Sequence, residues 1–232
     1  MNAIVTGATS GIGFELVKCL LRDDTIYKVV GIGRRAERLQ MLVEYADETG
    51  ATHRFVPIAS DVMDVNIDAI QKHVDHVGIL VNNAGLLRMA PFAQLTEADF
   101  EEVYRTNVFA PARLIRQLLP LMGGDRTTHI VNMGSMGGFQ GSSKFPGLSA
   151  YSSSKSALAG LTECLAEEFR ERNIKVNCLA IGAVQTEMLA QAFPGFNAPI
   201  TASDMAAYLA HFACNAHRYY NGKVLPVSRS TP

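Results

Sequence analysis

The side chains best placed by type and spacing to do chemistry together are Tyr151 and Lys155, in the run Tyr151-Ser-Ser-Ser-Lys155. Residues four apart on a helix rise on the same face, one turn apart, so phenol and ammonium form an acid/base pair. A free tyrosine ionises near pH 10, and a positive neighbour favours the phenolate. Bringing that value to neutrality takes roughly 4 kcal/mol from the surroundings. One Lys, read as partly exposed, does not supply all of it, so a bound cationic cofactor is the expected second source. Taken alone, the pair reads as a surface Tyr beside a solvated Lys. The rest of the chain reverses that reading.

A helical stretch over 150–172 carries the pair. Upstream, a strand over 128–133 runs into Gly134-Ser135-Met136-Gly137-Gly138, which sets a hydroxyl at a strand end. The same residues nearly match a G-x-S-x-G nucleophile elbow, with Asp204 and then His211 or His217 following in hydrolase order. Met133 stands at the first glycine position, however, and 137–147 is loop where the elbow needs a helix, so the hydrolase reading fails. Asn107 lies inside a further helix that starts at Thr96-Glu-Ala-Asp99, a signal of the capping-box type, and runs to about 119. Asn is a mediocre helix former, which invites a functional explanation, although an exposed Asn would be unremarkable.

The first strand, Ala3-Ile4-Val5, ends in Thr6-Gly7-Ala8-Thr9-Ser10-Gly11-Ile12-Gly13, and a helical pattern follows over 14–21. Strand, glycine-rich turn and helix in that order make a phosphate site, although the spacing alone is also that of a plain turn. Gly7 permits a sharp exit from the strand, Gly11 lets a pyrophosphate approach the helix amides, and Gly13 lets helix and strand pack closely. Lys28-Val-Val-Gly31-Ile-Gly33-Arg34-Arg35 imitates a second such loop. No acidic residue ends a strand about twenty residues on, so it reads instead as the second strand of the same unit. Its end is where an adenosine ribose lies. An acid there would suit the 2′-hydroxyl of NAD, whereas Arg34 and Arg35 suit the 2′-phosphate of NADP. Solvated arginines at a helix start are the electrostatically odd alternative. After a third strand over 53–58, Asp61 and Val62 fall where adenine would sit, with Asp61 equally an N-cap. His73 and His76, on a helix over 66–75, read as a solvated face and not as metal ligands. A buried strand over 78–81 ends in Asn82-Asn83-Ala84-Gly85, either a ligand crevice or an ordinary turn. A sixth strand over 174–180 leads to Ile181-Gly182-Ala183-Val184-Gln185-Thr186. The segment 188–199, with Phe193 and Phe196, has the composition of a lid over an apolar substrate or of a core-covering loop.

The 232 residues, 48% hydrophobic and 19% charged, are expected to form one globular domain. A net charge of -1 leaves no footprint for nucleic acid or an anionic membrane. No apolar run approaches a bilayer span, no signal peptide is visible, and four unpaired cysteines suit a reducing compartment, so a cytoplasmic protein is expected.

With Gly7 to Gly13, Asn82 to Gly85, Asn107, Ser135 and Tyr151 to Lys155 placed in order, the chain resembles the short-chain dehydrogenase/reductase family in its compact branch. The likeness covers residues 1 to about 190 and is thinner beyond, where it rests on Asn221-Gly222. It implies a Rossmann-type, doubly wound α/β fold with a seven-stranded parallel sheet and helices on both faces. It also implies a catalytic tetrad of Asn107, Ser135, Tyr151 and Lys155. In that likeness Tyr151 protonates a carbonyl oxygen, Ser135 hydrogen-bonds it, Lys155 holds the nicotinamide ribose, and Asn107 positions a relay water. Gly7, Thr9, Ser10, Gly11, Ile12 and Gly13 would line the cofactor cleft with Asn83, Ala84, Gly85, Gly182 and Val184, while Thr186 reaches the carboxamide. Three departures fall on the substrate side. Ile181-Gly182 replaces the usual Pro-Gly, the loop 136–149 is enlarged, and the lid is short. The expectation is an NADP(H)-dependent oxidoreductase, with NAD(H) second, acting on a small apolar carbonyl or alcohol and assembling as a dimer or tetramer through 97–119 and 151–171. A non-catalytic NADP(H)-binding sensor on the same fold is the alternative, against which the intact Tyr151/Lys155 pair argues.

Overall fold

The computed structural model describes residues 1–229. Strands β1 (Asn2–Thr6), β2 (Lys28–Gly33), β3 (Phe55–Ala59), β4 (Ile79–Asn82), β5 (Thr128–Met133), β6 (Ile174–Ile181) and β7 (Val224–Val227) form one sheet in the order β3-β2-β1-β4-β5-β6-β7. Every pairing is parallel. The order reverses between β1 and β4, so the crevice for a ligand opens beyond the carboxyl ends of those two strands.

Alternation along each strand assigns the two cores. Val5, Ile79, Val81, Val131 and Leu179 face one layer, built by α1 (Gly11–Leu21), α2 (Ala36–Glu48) and α8 (Ala202–Asn215). Their neighbours Ile4, Leu80, Ile130 and Val176 face the opposite layer, which holds Leu114, Ile115 and Leu118 of α5 (Ala110–Leu118) and Phe169 after α6 (Ser149–Glu168). Both strand faces are thus apolar, as an all-parallel sheet requires. Each such side chain contributes roughly 1.5–3 kcal/mol by leaving water.

Several elements differ from expectation. The third strand starts at Phe55, because Thr52–Arg54 forms a short 3-10 turn. The helix expected over 66–75 is only α3 (Ile67–Gln71), capped by the Asn66 side chain on the Asp68 amide. His76 is buried, not solvated, and its Nε2 contacts the Arg126 carbonyl at 3.2 Å. Among the described residues no cluster of His, Cys, Asp and Glu could hold a metal ion. No helix there is long and apolar enough to cross a membrane. The helix over 97–119 is α4 (Glu97–Tyr104), a π-helical turn (Arg105–Phe109) and α5; its capping box of Thr96 and Asp99 is present. α6 stops at Glu168, and a 3-10 turn over Arg170–Arg172 ends at Asn173, held left-handed at φ 57° while its side-chain amide donates to the Gly124 carbonyl.

Candidate active site

The crevice begins where β1 ends. Thr6 Oγ1 accepts the Asn83 and Ala84 amides at 3.1 and 3.0 Å, and Asn83 Nδ2 donates to the Thr6 carbonyl at 3.0 Å. These bonds pin the turn after β4 to the turn after β1. Gly7 has φ +68°, and a Cβ there would lie 2.9 Å from the Ala84 backbone. A Cβ on Gly13 would collide with the Gly7 carbonyl and Asn83 Nδ2. Ser10 is the N-cap of α1 without a side-chain bond to the helix, and the first turn carries no acid. The first-turn amides are therefore free to receive an anion, which fits the pyrophosphate of a dinucleotide. Ile12 packs into the core, and Thr9 is buried with its carbonyl turned outward to two arginines.

On the other side of the switch point four polar side chains converge. Asn107 is fully buried in the π-turn; its Oδ1 accepts the Leu86 amide at 2.8 Å, and its Nδ2 donates to the Leu86 carbonyl and to Ser154 Oγ, both at 2.9 Å. The wider turn lets one Asn tie α4, α6 and the segment after Gly85 together. A Cβ built on Gly85 would stand 3.5 Å from both Asn107 Oδ1 and Lys155 Nζ. Lys155 is buried, not partly exposed, and donates to the Met133 carbonyl at 2.7 Å. Its Nζ lies 5.7 Å from the Tyr151 ring centre. Ser135 caps the turn Met136–Gly138, accepting the Gly137 amide at 3.1 Å.

Electrostatics here differ from the simple Tyr/Lys picture. Burial pushes the Tyr151 phenol above its ordinary value, and a hydrogen bond with Ser135 only partly offsets it. Burial also pulls Lys155 down to about 8, against a small opposing pull from Cys178. In the chain alone the phenol therefore holds its proton, which makes it a donor. The turn after Ser135 explains part of the enclosure: a Cβ on Gly138 would meet Lys155 at 2.7 Å, so this turn packs directly on the α6 backbone.

The two arginines expected to act together point apart. Arg34 is 77% exposed and faces Asp61 Oδ2 at 3.8 Å, while Asp61 Oδ1 accepts the Met63 amide beside half-buried Val62. Arg35 turns to the Thr9 carbonyl at 2.8 Å and to Glu187 at 3.1 Å. Glu187 opens α7 (Glu187–Ala192), the helix inside the expected lid, whose N-cap is Thr186. The Thr186 methyl faces Gly11 across 3.2 Å, measured to a built Cβ. Val184 is buried in the core and can reach a ligand only through its backbone, and a Cβ on Gly182 would collide with Ser228. The hydrolase order is not assembled, since Asp204 caps α8 through Thr201 and His217 lies against His129.

The family model described as short chain dehydrogenase matches residues 1–195. The chain is a short-chain dehydrogenase/reductase. Nodulation protein G of Rhizobium sp. (strain N33) is 32% identical over 98% of this chain and 95% of its own. The 3-oxoacyl-[acyl-carrier-protein] reductase FabG of Aquifex aeolicus is 32% identical over 81% of this chain and 75% of its own. A short chain dehydrogenase from Burkholderia cenocepacia J2315, solved in complex with NADP, is 29% identical with a TM-score of 0.83, covering 99% of this chain and 96% of that one. As a short-chain dehydrogenase/reductase the protein is an oxidoreductase. Two residues of this short-chain dehydrogenase/reductase site escaped the sequence reading. Arg38 donates to the same Thr9 carbonyl at 3.3 Å, and its place three residues after Arg35 on α2 was the available signal. Glu187 lies 152 residues from Arg35, and no local pattern links them.

Proposed function

We propose that this oxidoreductase is an NADPH-dependent carbonyl reductase/alcohol dehydrogenase for a small apolar substrate, with Tyr151 as the proton donor. The observation that carries the reading is the convergence of Asn107, Ser135, Tyr151 and Lys155 beside an uncapped glycine-loop helix. A bound nicotinamide supplies or accepts the hydride at the substrate carbon. This chain does the remainder. Tyr151, protonated in its enclosed position, gives its proton to the carbonyl oxygen, and Ser135 hydrogen-bonds that same oxygen. Lys155, anchored by the Met133 carbonyl, sets positive charge behind the phenol and favours the phenolate left after transfer. Asn107 fixes the α4–α6 spacing that holds Tyr151 and Lys155 in place.

Arg34 and Arg35 at the end of β2 support NADP(H) over NAD(H). Phe145, 41% exposed on the enlarged loop, meets Phe193 of the lid edge-on at 6.4 Å, an apolar mouth that suits an apolar carbonyl. A relative named as a 3-oxoacyl-[acyl-carrier-protein] reductase supports reduction of a carbonyl. The reading includes a cytoplasmic dimer or tetramer joined through α4, α5 and α6, where Phe109 is 57% exposed. Tyr151→Phe is expected to bind NADPH within about twofold of the parent and to lose turnover of a ketone panel by 100-fold or more, the low end for a lost general acid being ~10². Near-parental turnover by the variant would refute the assignment.

A further inference from the structure

Beside the glycine loop lies a charge arrangement that takes up Arg35, one of the two arginines read above for NADP(H). Arg35 Nη2 and Arg38 Nε both donate to the Thr9 carbonyl, at 2.8 and 3.3 Å. The Arg38 guanidinium is further fixed 4.8 Å from the Phe14 ring centre. Both cations turn to one carboxylate: Glu187 Oε2 lies 3.1 Å from Arg35 Nη1, and Glu187 Oε1 lies 3.9 Å from Arg38 Nη2. Glu187 is the first residue of α7, so this contact crosses the glycine loop and ties the lid to α2. Glu187 and Arg38 both line a cavity of about 480 Å3, with Gly11, Phe14, Met41 and Thr186 among its other walls.

We propose that Glu187 is a specificity-determining residue: its carboxylate holds Arg35, one of the two guanidinium groups read above for a 2′-phosphate, together with its neighbour Arg38, and so sets how strongly the protein prefers NADP(H) to NAD(H). The inference rests on the NADP(H) reading above and deepens it. Arg35 has a planar fork of donors, and every donor spent on Thr9 or Glu187 is one withheld from a phosphate. A phosphate and the Glu187 carboxylate repel each other when brought to the same cation, so binding of one disfavours the other. NAD(H), with a neutral 2′-hydroxyl, provokes no such competition and leaves the lid tied to α2. The ribose substituent therefore decides whether the first turn of the lid stays anchored.

Adenosine 2′,5′-bisphosphate and AMP serve as probes, because they report the adenosine end without touching the tetrad. Their dissociation constants are measured by calorimetry for the full chain, for Glu187→Gln and for Glu187→Ala, with NADP+ and NAD+ run in parallel. An exposed ion pair alters an equilibrium by up to about fivefold, and two guanidinium groups are released together, so the bisphosphate should bind roughly three- to tenfold more tightly to both variants. AMP and NAD+ should stay within about twofold. The gain should shrink in an Arg35→Ala background, as a double-mutant cycle requires. Should the parent prefer the bisphosphate while Glu187→Gln and Glu187→Ala leave that preference unchanged or lower it, the proposal is overturned and the NADP(H) reading stands. Should the parent show no preference and the variants acquire one, Glu187 is confirmed as the determinant and the NADP(H) reading fails.

Discussion

Histidine 129 gives a stability prediction that can be worked from the structure. It is fully buried on β5; its Nδ1 lies 2.9 Å from the Ala213 carbonyl and its Nε2 lies 3.0 Å from Asn177 Nδ2. A carbonyl only accepts, so Nδ1 carries the proton and Nε2 accepts from the amide. The Asn177 amide cannot turn over cheaply, because its oxygen accepts the Lys223 amide and its nitrogen also serves the Tyr220 carbonyl. Burial, reinforced by the nearby His217, pulls the His129 pKa from 6.5 to about 4. The unfolded chain therefore takes up this proton first as the pH falls. Stability is complete above about pH 6.5 and declines as the pH drops from there towards 4, where the loss levels off. At pH 4.5 the loss relative to pH 7.5 is about 2.5 kcal/mol. Urea unfolding at the two pH values, for the parent and for His129→Phe, isolates it. The variant is expected to be less stable at pH 7.5 but to fall by about 2.5 kcal/mol less between the two conditions. An equal fall in both proteins would refute the reasoning.

Gly13→Ala places a methyl against the Gly7 carbonyl and Asn83 Nδ2, so a loss of about 1–3 kcal/mol in thermal unfolding is expected together with weakened NADP+ binding by titration. An unaltered melting temperature would mean that α1 can move away freely. Phe145→Ala removes one side of the contact with Phe193, and the apparent KM for apolar ketones should rise with kcat and NADPH affinity little changed. A lowered melting temperature with unaltered KM would make the loop structural.

What was legible in the sequence was what is decided locally. The glycine loop could be read because Gly7 and Gly13 answer steric demands set within a few residues. The cap at Thr96 and Asp99 and the short apolar runs of the strands belong to the same kind. Contacts set by tertiary packing were not legible. Lys155 looked partly exposed because a helix of Ser and Ala gives no sign that Gly138 will lie on its backbone. Tyr151 is accordingly pushed up by enclosure, where a neighbouring ammonium alone suggested the reverse. His76 and His129 carry nothing local that separates a buried imidazole from a solvated one. Arg34 and Arg35 are adjacent in sequence, yet a strand end followed by a helix start sends their side chains to different partners.

The π-turn at Arg105–Phe109 bears on how this chain tolerates length changes. A residue added to a regular helix turns everything after it by about 100°, whereas a π-turn takes up the extra residue within one wide turn. Val103 before the turn and Leu114, Ile115 and Leu118 after it are accordingly all buried, although the extra residue lies between them. Deleting one residue between 105 and 109 would close the wide turn to a regular one that keeps the leucine-rich stripe on the core, but it would disturb the hold of Asn107 on Leu86 and Ser154. The cost of such a deletion therefore falls on the geometry of the site and not on the core.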